Sequence, residues 1–196
     1  MLKLAKKVIL ASQSPRRQQL LADLGVEFDI RTKPIDEVFP DEMPSHQVAE
    51  YLAKLKAQAL LTDLQEDELC ITADTVVVLK QEVLGKAQDV QMARNMLEQL
   101  SGNHHEVITG VYLSTLAHQV SFSVSTKVHF RELSGEEISY YIDKFAPFDK
   151  AGAYGIQEWI GMIGIDHIEG SYFNVMGLPT ERLFRELKQF MKKEVV

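Results

Sequence analysis

Apolar residues recur along this chain with two periods, and the switches between them outline its elements. Val8-Ile9-Leu10 is a short β-branched run that reads as a buried strand, and it leads into Gln18-Gln19-Leu20-Leu21-Ala22-Asp23-Leu24-Gly25, where the spacing turns helical. Ser14 stands where an N-cap belongs, Pro15 suits the first helical position, and Gly25 is a natural stop. Val26, Phe28 and Ile30 then alternate with Glu27, Asp29 and Arg31, the period of a half-buried strand. From a cap at Ser45, the residues Val48, Leu52, Leu55 and Ala59 follow the helical repeat and predict a helix ending near Leu64.

The run 69–79 is the strongest strand in the chain, apolar on both sides, and is expected at the centre of a sheet. Lys80 to Glu82 make a tight connection to Val83-Leu84. A helix from about Asp89 to Leu100 places Met92, Ala93, Met96, Leu97 and Leu100 on a core face, with Ser101-Gly102 as its stop. The runs 107–116 and 120–130 read as long antiparallel strands around Ala117-His118-Gln119, with His104 and His105 ahead of the first, one of them placed to stabilise a turn. Ser134 and Glu137 form a capping box that opens a helix through Ile138, Tyr141 and Ile142 to about Lys144, ahead of Pro147. The run 162–168 is strand-like and 170–177 a loop. Thr180 starts a last helix whose Leu183, Phe184, Leu187, Phe190 and Met191 form a packing stripe. A hairpin beside strand-to-helix units makes this an α/β chain with a mixed sheet.

Composition narrows the class. At 196 residues, 45% hydrophobic and 25% charged, the chain can bury a sizeable core. Its 21 basic and 28 acidic residues give a net charge of −7, which argues against a general binder of nucleic acid or of anionic membranes, so any anion must be caught locally. Lys3, Lys6 and Lys7 precede an apolar run that stops at Ala11, too short for a signal-peptide core or a membrane span. The lone Cys70 excludes an intramolecular disulfide and fits a reducing cytoplasm. No fixed-period repeat or low-complexity linker interrupts the chain.

Five stretches carry candidate chemistry. In Leu10-Ala-Ser-Gln-Ser-Pro-Arg-Arg17 a strand runs into a helix start. The positive end of the helix dipole and two guanidinium forks there suit a polyphosphate, against the plainer reading of a capped helix with solvated arginines. Asp74 lies inside the apolar strand, where an ionised carboxylate is costly unless paired or metal-bound. The loop after Pro34 concentrates Asp36, Glu37, Asp41 and Glu42, a set that either ligates a hard cation or forms a solvated acidic turn. Lys54 and Lys56 fall on different sides of their helix, so one at most faces a given site. Asp149-Lys-Ala-Gly-Ala-Tyr-Gly-Ile-Gln157 is a small-residue loop of the kind that lines a ligand rather than a core. No Gly-x-x-x-x-Gly-Lys-Ser/Thr motif occurs, which sets a P-loop enzyme aside.

These motifs, with Leu52-Ala-Lys-Leu-Lys-Ala57, Ala73-Asp-Thr-Val-Val77, Gly85-Lys86, Ser101-Gly102, His105 and Thr109-Gly110, resemble the Maf family of nucleoside triphosphate pyrophosphatases over nearly the whole chain. The resemblance implies one Maf-like domain over residues 1–196. Its fold would be that of the inosine triphosphate pyrophosphatases: an elongated mixed sheet flanked by helices, in two lobes with a cleft. It implies cleavage between the α and β phosphates to a monophosphate and pyrophosphate, with dTTP and UTP preferred. Asp74 would be the proton acceptor or hold the metal, with Arg16, Lys56 and Lys86 as catalytic cations. Ser12, Ser14, Arg17, Thr75, Gln157 and Lys150 would bind substrate, and Glu37 with Asp74 would ligate Mg²⁺ or Mn²⁺. A cytoplasmic homodimer without membrane or nucleic-acid partners is implied as well. Alternatives are the branch acting on 7-methyl-GTP or other modified nucleotides, and a non-catalytic interaction protein in septum formation. Two positions depart from the family pattern: Ala87 where Pro usually follows Gly-Lys, and Glu158 where Gly commonly follows Ile-Gln.

Overall fold

The structure is a computed structural model and describes residues 4–193, with side chains through residue 190, so Lys3 and the side chain of Met191 lie outside the described residues. In chain order the elements are β1 (Lys7–Leu10), α1 (Pro15–Asp23), β2 (Phe28–Ile30), α2 (Ser45–Leu60) with a 3-10 turn at Leu61–Asp63, β3 (Glu68–Leu79) and β4 (Glu82–Leu84). They continue with α3 (Val90–Leu100), β5 (His104–Ser114), β6 (Gln119–Phe130), α4 (Gly135–Phe145), α5 (Trp159–Gly164), β7 (Ile165–Glu169), α6 (Tyr172–Met176) and α7 (Thr180–Lys193). The strands follow the order β2-β1-β3-β5-β6-β7, with β4 paired to β3. β1 runs parallel to β2 and β3, pairing Val8 with Phe28 and Leu10 with Ile71, whereas β3–β4 and β6–β7 are antiparallel. The sheet is therefore mixed, as expected for the α/β class. No described helix is long and apolar enough to cross a membrane.

The chain divides into two compact units, each assembled from separate segments. One comprises Met1–Asp74, Thr109–Val124 and Gly177–Val196. In it α2 lies on the sheet: Ala53 and Ala57 pack on Tyr112, and Thr72 Oγ1 donates to the Ala53 carbonyl at 2.6 Å. Gly110 permits this approach, because a Cβ there would collide with the α2 backbone at Ala49 and Glu50. Leu183, Leu187 and Phe190 of α7 are buried, Phe190 against the His118 ring. The other unit comprises Thr75–Ile108 and Ser125–Met176, and its core gathers Val77 and Leu79 of β3, Met96, Leu97 and Leu100 of α3, Phe130 of β6, and Tyr141 and Ile142 of α4.

Several local expectations are corrected. Ser45 is already helical and Pro44 takes the N-cap position, without a side-chain bond. Buried Ala49, Ala53, Ala57 and Leu60 complete the α2 face, while Leu55 and Ala59 are only half-buried. Only Phe28–Ile30 of the second strand pairs, on the sheet edge beside β1, and this leaves Ile30 exposed. Met92 is exposed rather than core, its amide bound to the Asp89 cap. Residues 159–164 form a helix, because a short apolar run has no period to separate helix from strand and the Glu158 carbonyl accepts both the Gly161 and Met162 amides. The loop expected at 170–177 contains α6, held by buried Asn174, whose Nδ2 donates to the Val107 carbonyl at 2.9 Å and to Thr126 Oγ1 at 3.0 Å.

Candidate active site

In the first unit, the parallel pairing of β1 with β3 sets the turn after Leu10 next to the middle of β3, with the Ala11 amide donating to the Ile71 carbonyl at 2.8 Å. Ser14 occupies the α1 N-cap position, as the Ser-Pro pair predicts, yet its side chain makes no cap bond. The turn is instead fixed from within by buried Ser12, whose Oγ accepts the Ser14 amide at 3.2 Å and whose carbonyl accepts Gln18 Nε2 at 3.3 Å. Arg16 and Arg17 follow on α1, both half-buried. Arg17 Nε donates to the Gly177 carbonyl at 2.8 Å, tying α1 to the segment that leads into α7. Burial lowers the Arg17 pKa, the nearby charges of Asp74 and Glu37 oppose that shift, and Arg16 adds to it; a guanidinium stays protonated regardless.

Asp74 is buried at 7% exposure near the middle of β3, whose only other polar residues are Glu68, Thr72 and Thr75. Its Oδ1 meets the Lys56 ammonium in a short ion pair, and the same Nζ lies 2.8 Å from Glu37 Oε1. The helical repeat of α2 therefore sends Lys56 to the carboxylates and leaves Lys54 exposed, as the two-sided spacing requires. Two carboxylates on one largely buried ammonium carry a desolvation cost that packing alone does not demand. The acidic loop thus contributes Glu37 to this cluster rather than serving only as a solvated turn.

In the second unit, Thr75 is the one residue of β3 that is not fully buried. Gly85 and Lys86 lie along the loop that starts at Lys150: Lys86 bridges Ala151, and the Gly152 amide donates to the Gly85 carbonyl at 3.0 Å. Ala87, where Pro was the family expectation, is buried. Lys150 Nζ pairs with Asp149 Oδ1 at 2.7 Å and Glu158 Oε1 at 3.0 Å. Gln157 is half-buried, and its Oε1 is shielded from solvent without a hydrogen-bond partner among the described residues. The expectation that the loop 149–157 lines a ligand rather than a core is corrected for its middle. Residues 152–156 are buried, and Ala153, Tyr154 and Ile156 join the hydrophobic core, so only the ends keep polar side chains for other work. His105 is a residue of β5 and not a turn element: its Nε2 lies 2.7 Å from the buried Tyr154 hydroxyl.

Spacing also gave no sign of Tyr141. Its hydroxyl donates to Glu158 Oε2 in a short hydrogen bond and accepts the Gly155 amide at 3.0 Å; burial, then the carboxylate, push its pKa up. The available signal was a tyrosine on the apolar face of a helix, since a buried phenol needs a polar partner.

Within their own units, then, the predicted residues gather on one buried strand and two loops: a polar cluster in an α/β protein, with arginines at a helix start. The Maf-like protein family model matches residues 7–190, and the chain belongs to that family. It is 54% identical over 184 residues to a protein of Phocaeicola vulgatus named dTTP/UTP pyrophosphatase, covering 93% of this chain and 95% of that one. A protein of Bacteroides thetaiotaomicron with the same name is 50% identical over the same shares. Among solved structures, a nucleoside-triphosphatase / dITP/XTP pyrophosphatase from Mycobacterium abscessus aligns over 97% of this chain and 98% of its own, at 13% identity and a TM-score of 0.44.

Proposed function

We propose that this protein hydrolyses nucleoside triphosphates between the α and β phosphates, releasing a monophosphate and pyrophosphate, with dTTP and UTP as preferred substrates. Membership of the Maf-like family and the names of relatives about half identical over nearly the full chain support the reading. The observation that carries it is Asp74: a buried carboxylate on an apolar strand, paired with an ammonium that a second carboxylate shares. A water oxygen bonds to the α phosphorus as the bridging bond to the β phosphate breaks, and Asp74 accepts the water proton. Arg16, Lys56, Lys86 and Lys150 oppose charge on the triphosphate and on departing pyrophosphate, the main source of stabilisation in phosphoryl-type transfer. Ser12 and Ser14 shape the helix start that receives phosphate oxygens.

Glu37 and Asp74 also form a donor set that fits a divalent metal: two carboxylates, already converging on one cation, with room in the chemistry for phosphate oxygens to complete the shell. No group of three or more His, Cys, Asp or Glu able to hold a metal occurs among the described residues, so phosphate oxygens of the substrate would have to supply further ligands. Bound there, Mg²⁺ or Mn²⁺ supplies charge neutralisation at the phosphate oxygens. Arg17, Thr75 and Gln157 are assigned to the nucleoside, Gln157 because its amide offers a donor and an acceptor matching N3–H and a carbonyl of uracil or thymine. A cytoplasmic homodimer completes the proposal. Light scattering at the mass of one chain overturns the dimer.

The deciding experiment incubates the protein with dTTP, UTP, CTP, dGTP and 7-methyl-GTP in Mg²⁺ and measures pyrophosphate against orthophosphate. Pyrophosphate with monophosphate is expected, fastest from dTTP and UTP. A diphosphate with orthophosphate places attack at the γ phosphorus and refutes the reaction, and 7-methyl-GTP as best substrate refutes the preference.

A further inference from the structure

Residues 155–158 form a tight turn closed by the Glu158 amide, which donates to the Gly155 carbonyl at 3.0 Å, and Gln157 is its third residue. A single phenol grips both ends of this turn. Tyr141 Oη accepts the Gly155 amide at 3.0 Å and donates to Glu158 Oε2, so the turn, the phenol and the carboxylate make a closed ring of three hydrogen bonds. The other carboxylate oxygen, Oε1, is held by Lys150 at 3.0 Å. Glycine at 155 leaves this closure room: a Cβ there would stand 2.9 Å from the Glu158 carboxyl carbon and 3.1 Å from Gln157 Nε2, so both side chains would have to shift. The Glu158 carboxyl group and the Gln157 amide nitrogen thus border the same small space beside Gly155. Glu158 replaces the Gly common in the family pattern, and a glycine has no side chain with which to close the ring.

We propose that Glu158 and Tyr141 are positioning residues that lock the orientation of the Gln157 turn and thereby set the preference of this enzyme for uracil and thymine over cytosine. The proposal rests on the reading of Gln157 as the residue facing the base. A glutamine free to turn its amide over can follow cytosine, which exchanges an acceptor for the donor at N3 and a donor for the acceptor at C4. Discrimination therefore needs the amide confined, and the ring fixes the backbone turn that carries Gln157, which limits the poses from which that amide can meet a base. Tyr141 and Glu158 need not touch substrate, so their loss acts on selectivity more than on the chemical step.

The test compares kcat/KM for dTTP and CTP in wild type, Tyr141→Phe, Glu158→Ala, Glu158→Gln and Gln157→Ala, with thermal unfolding as a fold control. Tyr141→Phe and Glu158→Ala should each lower the dTTP to CTP ratio by roughly 3- to 10-fold, the worth of one or two hydrogen bonds, with most of the change in CTP gaining. Glu158→Gln, whose amide oxygen still accepts the Tyr141 proton, should keep the ratio within about twofold of wild type. The double variant Tyr141→Phe/Glu158→Ala should lose no more than either single variant, because both break one ring. If Tyr141→Phe and Glu158→Ala fold and keep the wild-type ratio while Gln157→Ala abolishes it, the proposal fails and the base-reader reading stands. If Gln157→Ala leaves the ratio unchanged, that reading fails and the proposal falls with it.

Discussion

Lowering the pH from 7 to 5 should cost this protein about 2 kcal/mol of folding free energy through His105 alone. The ring is 2% exposed, stacked on Phe130 with centroids 5.6 Å apart, and its Nδ1 is buried with no partner among the described residues. Burial, with smaller contributions from the charges of His104 and His129, depresses its pKa from 6.5 to about 3. The folded ring thus remains neutral at pH 5, while in the unfolded chain the same imidazole takes up a proton below its ordinary value. A base whose folded pKa is lowered contributes stability in full above the unfolded pKa and loses it as pH falls toward the folded one. At pH 5 the unfolded state is favoured by proton uptake over about 1.5 pH units, or about 2 kcal/mol. The result is insensitive to the folded value as long as that value stays well below 5. Urea unfolding of wild type and His105→Gln at both pH values isolates the effect, since the variant keeps a polar group toward the Tyr154 hydroxyl but has no proton to gain. Wild type should lose about 2 kcal/mol more than the variant. Equal losses in the two proteins would refute the argument.

Four shorter tests follow from other sites. Asp74→Asn should keep the fold, because the amide can still meet Lys56, and should lower kcat by at least about 10²-fold, measured as pyrophosphate release. EDTA should abolish that release and Mg²⁺ or Mn²⁺ restore it; full activity in chelator removes metal from the proposed mechanism. Gly110→Ala should destabilise by about 3 kcal/mol or more, because the neighbour it strikes is the α2 backbone and not a side chain that can turn away; denaturant midpoints within error of wild type contradict that packing. Cys70, buried and with its thiol pKa pushed up to about 12 mainly by burial, should resist a disulfide reagent in the native state at pH 8 and react fully in urea.

Much of this could be read from residue patterns because the physics concerned is local. Pro15 after Ser14, the capping box at Ser134 and Glu137, and the largely apolar run around Asp74 each reflect contacts within a few residues, and each appears where the pattern places it. The burial of an aspartate was legible for the same reason: its neighbours in sequence are its neighbours in the strand. Its pairing with Lys56 and Glu37 joins residues far apart in the chain, and no spacing rule connects them. Glu158 was visible only as a departure from a family pattern. Its meaning came from Tyr141, on another helix, and from Gly155, whose lack of a side chain makes space that a sequence cannot display. The strand expected over 162–168 begins only at Ile165, because residues 162–164 complete helix α5, whose deciding bonds are the two amides on the Glu158 carbonyl.

The interleaving of the two units bears on how the protein comes to be folded during synthesis. Thr75–Ile108 and Ser125–Met176 form one unit, whereas the other begins upstream and still needs Thr109–Val124 and Gly177–Val196. As the polypeptide leaves the ribosome, the later-starting unit has all its parts first. The unit carrying Lys56 and Asp74 must wait for helix α7, whose Leu183, Leu187 and Phe190 close its core. A nascent chain stalled or cleaved before Gly177 would lack Phe190 against the His118 ring and Arg182 over the Phe122 ring, and the apolar surface left open makes it a client for chaperones or proteases rather than a partial enzyme.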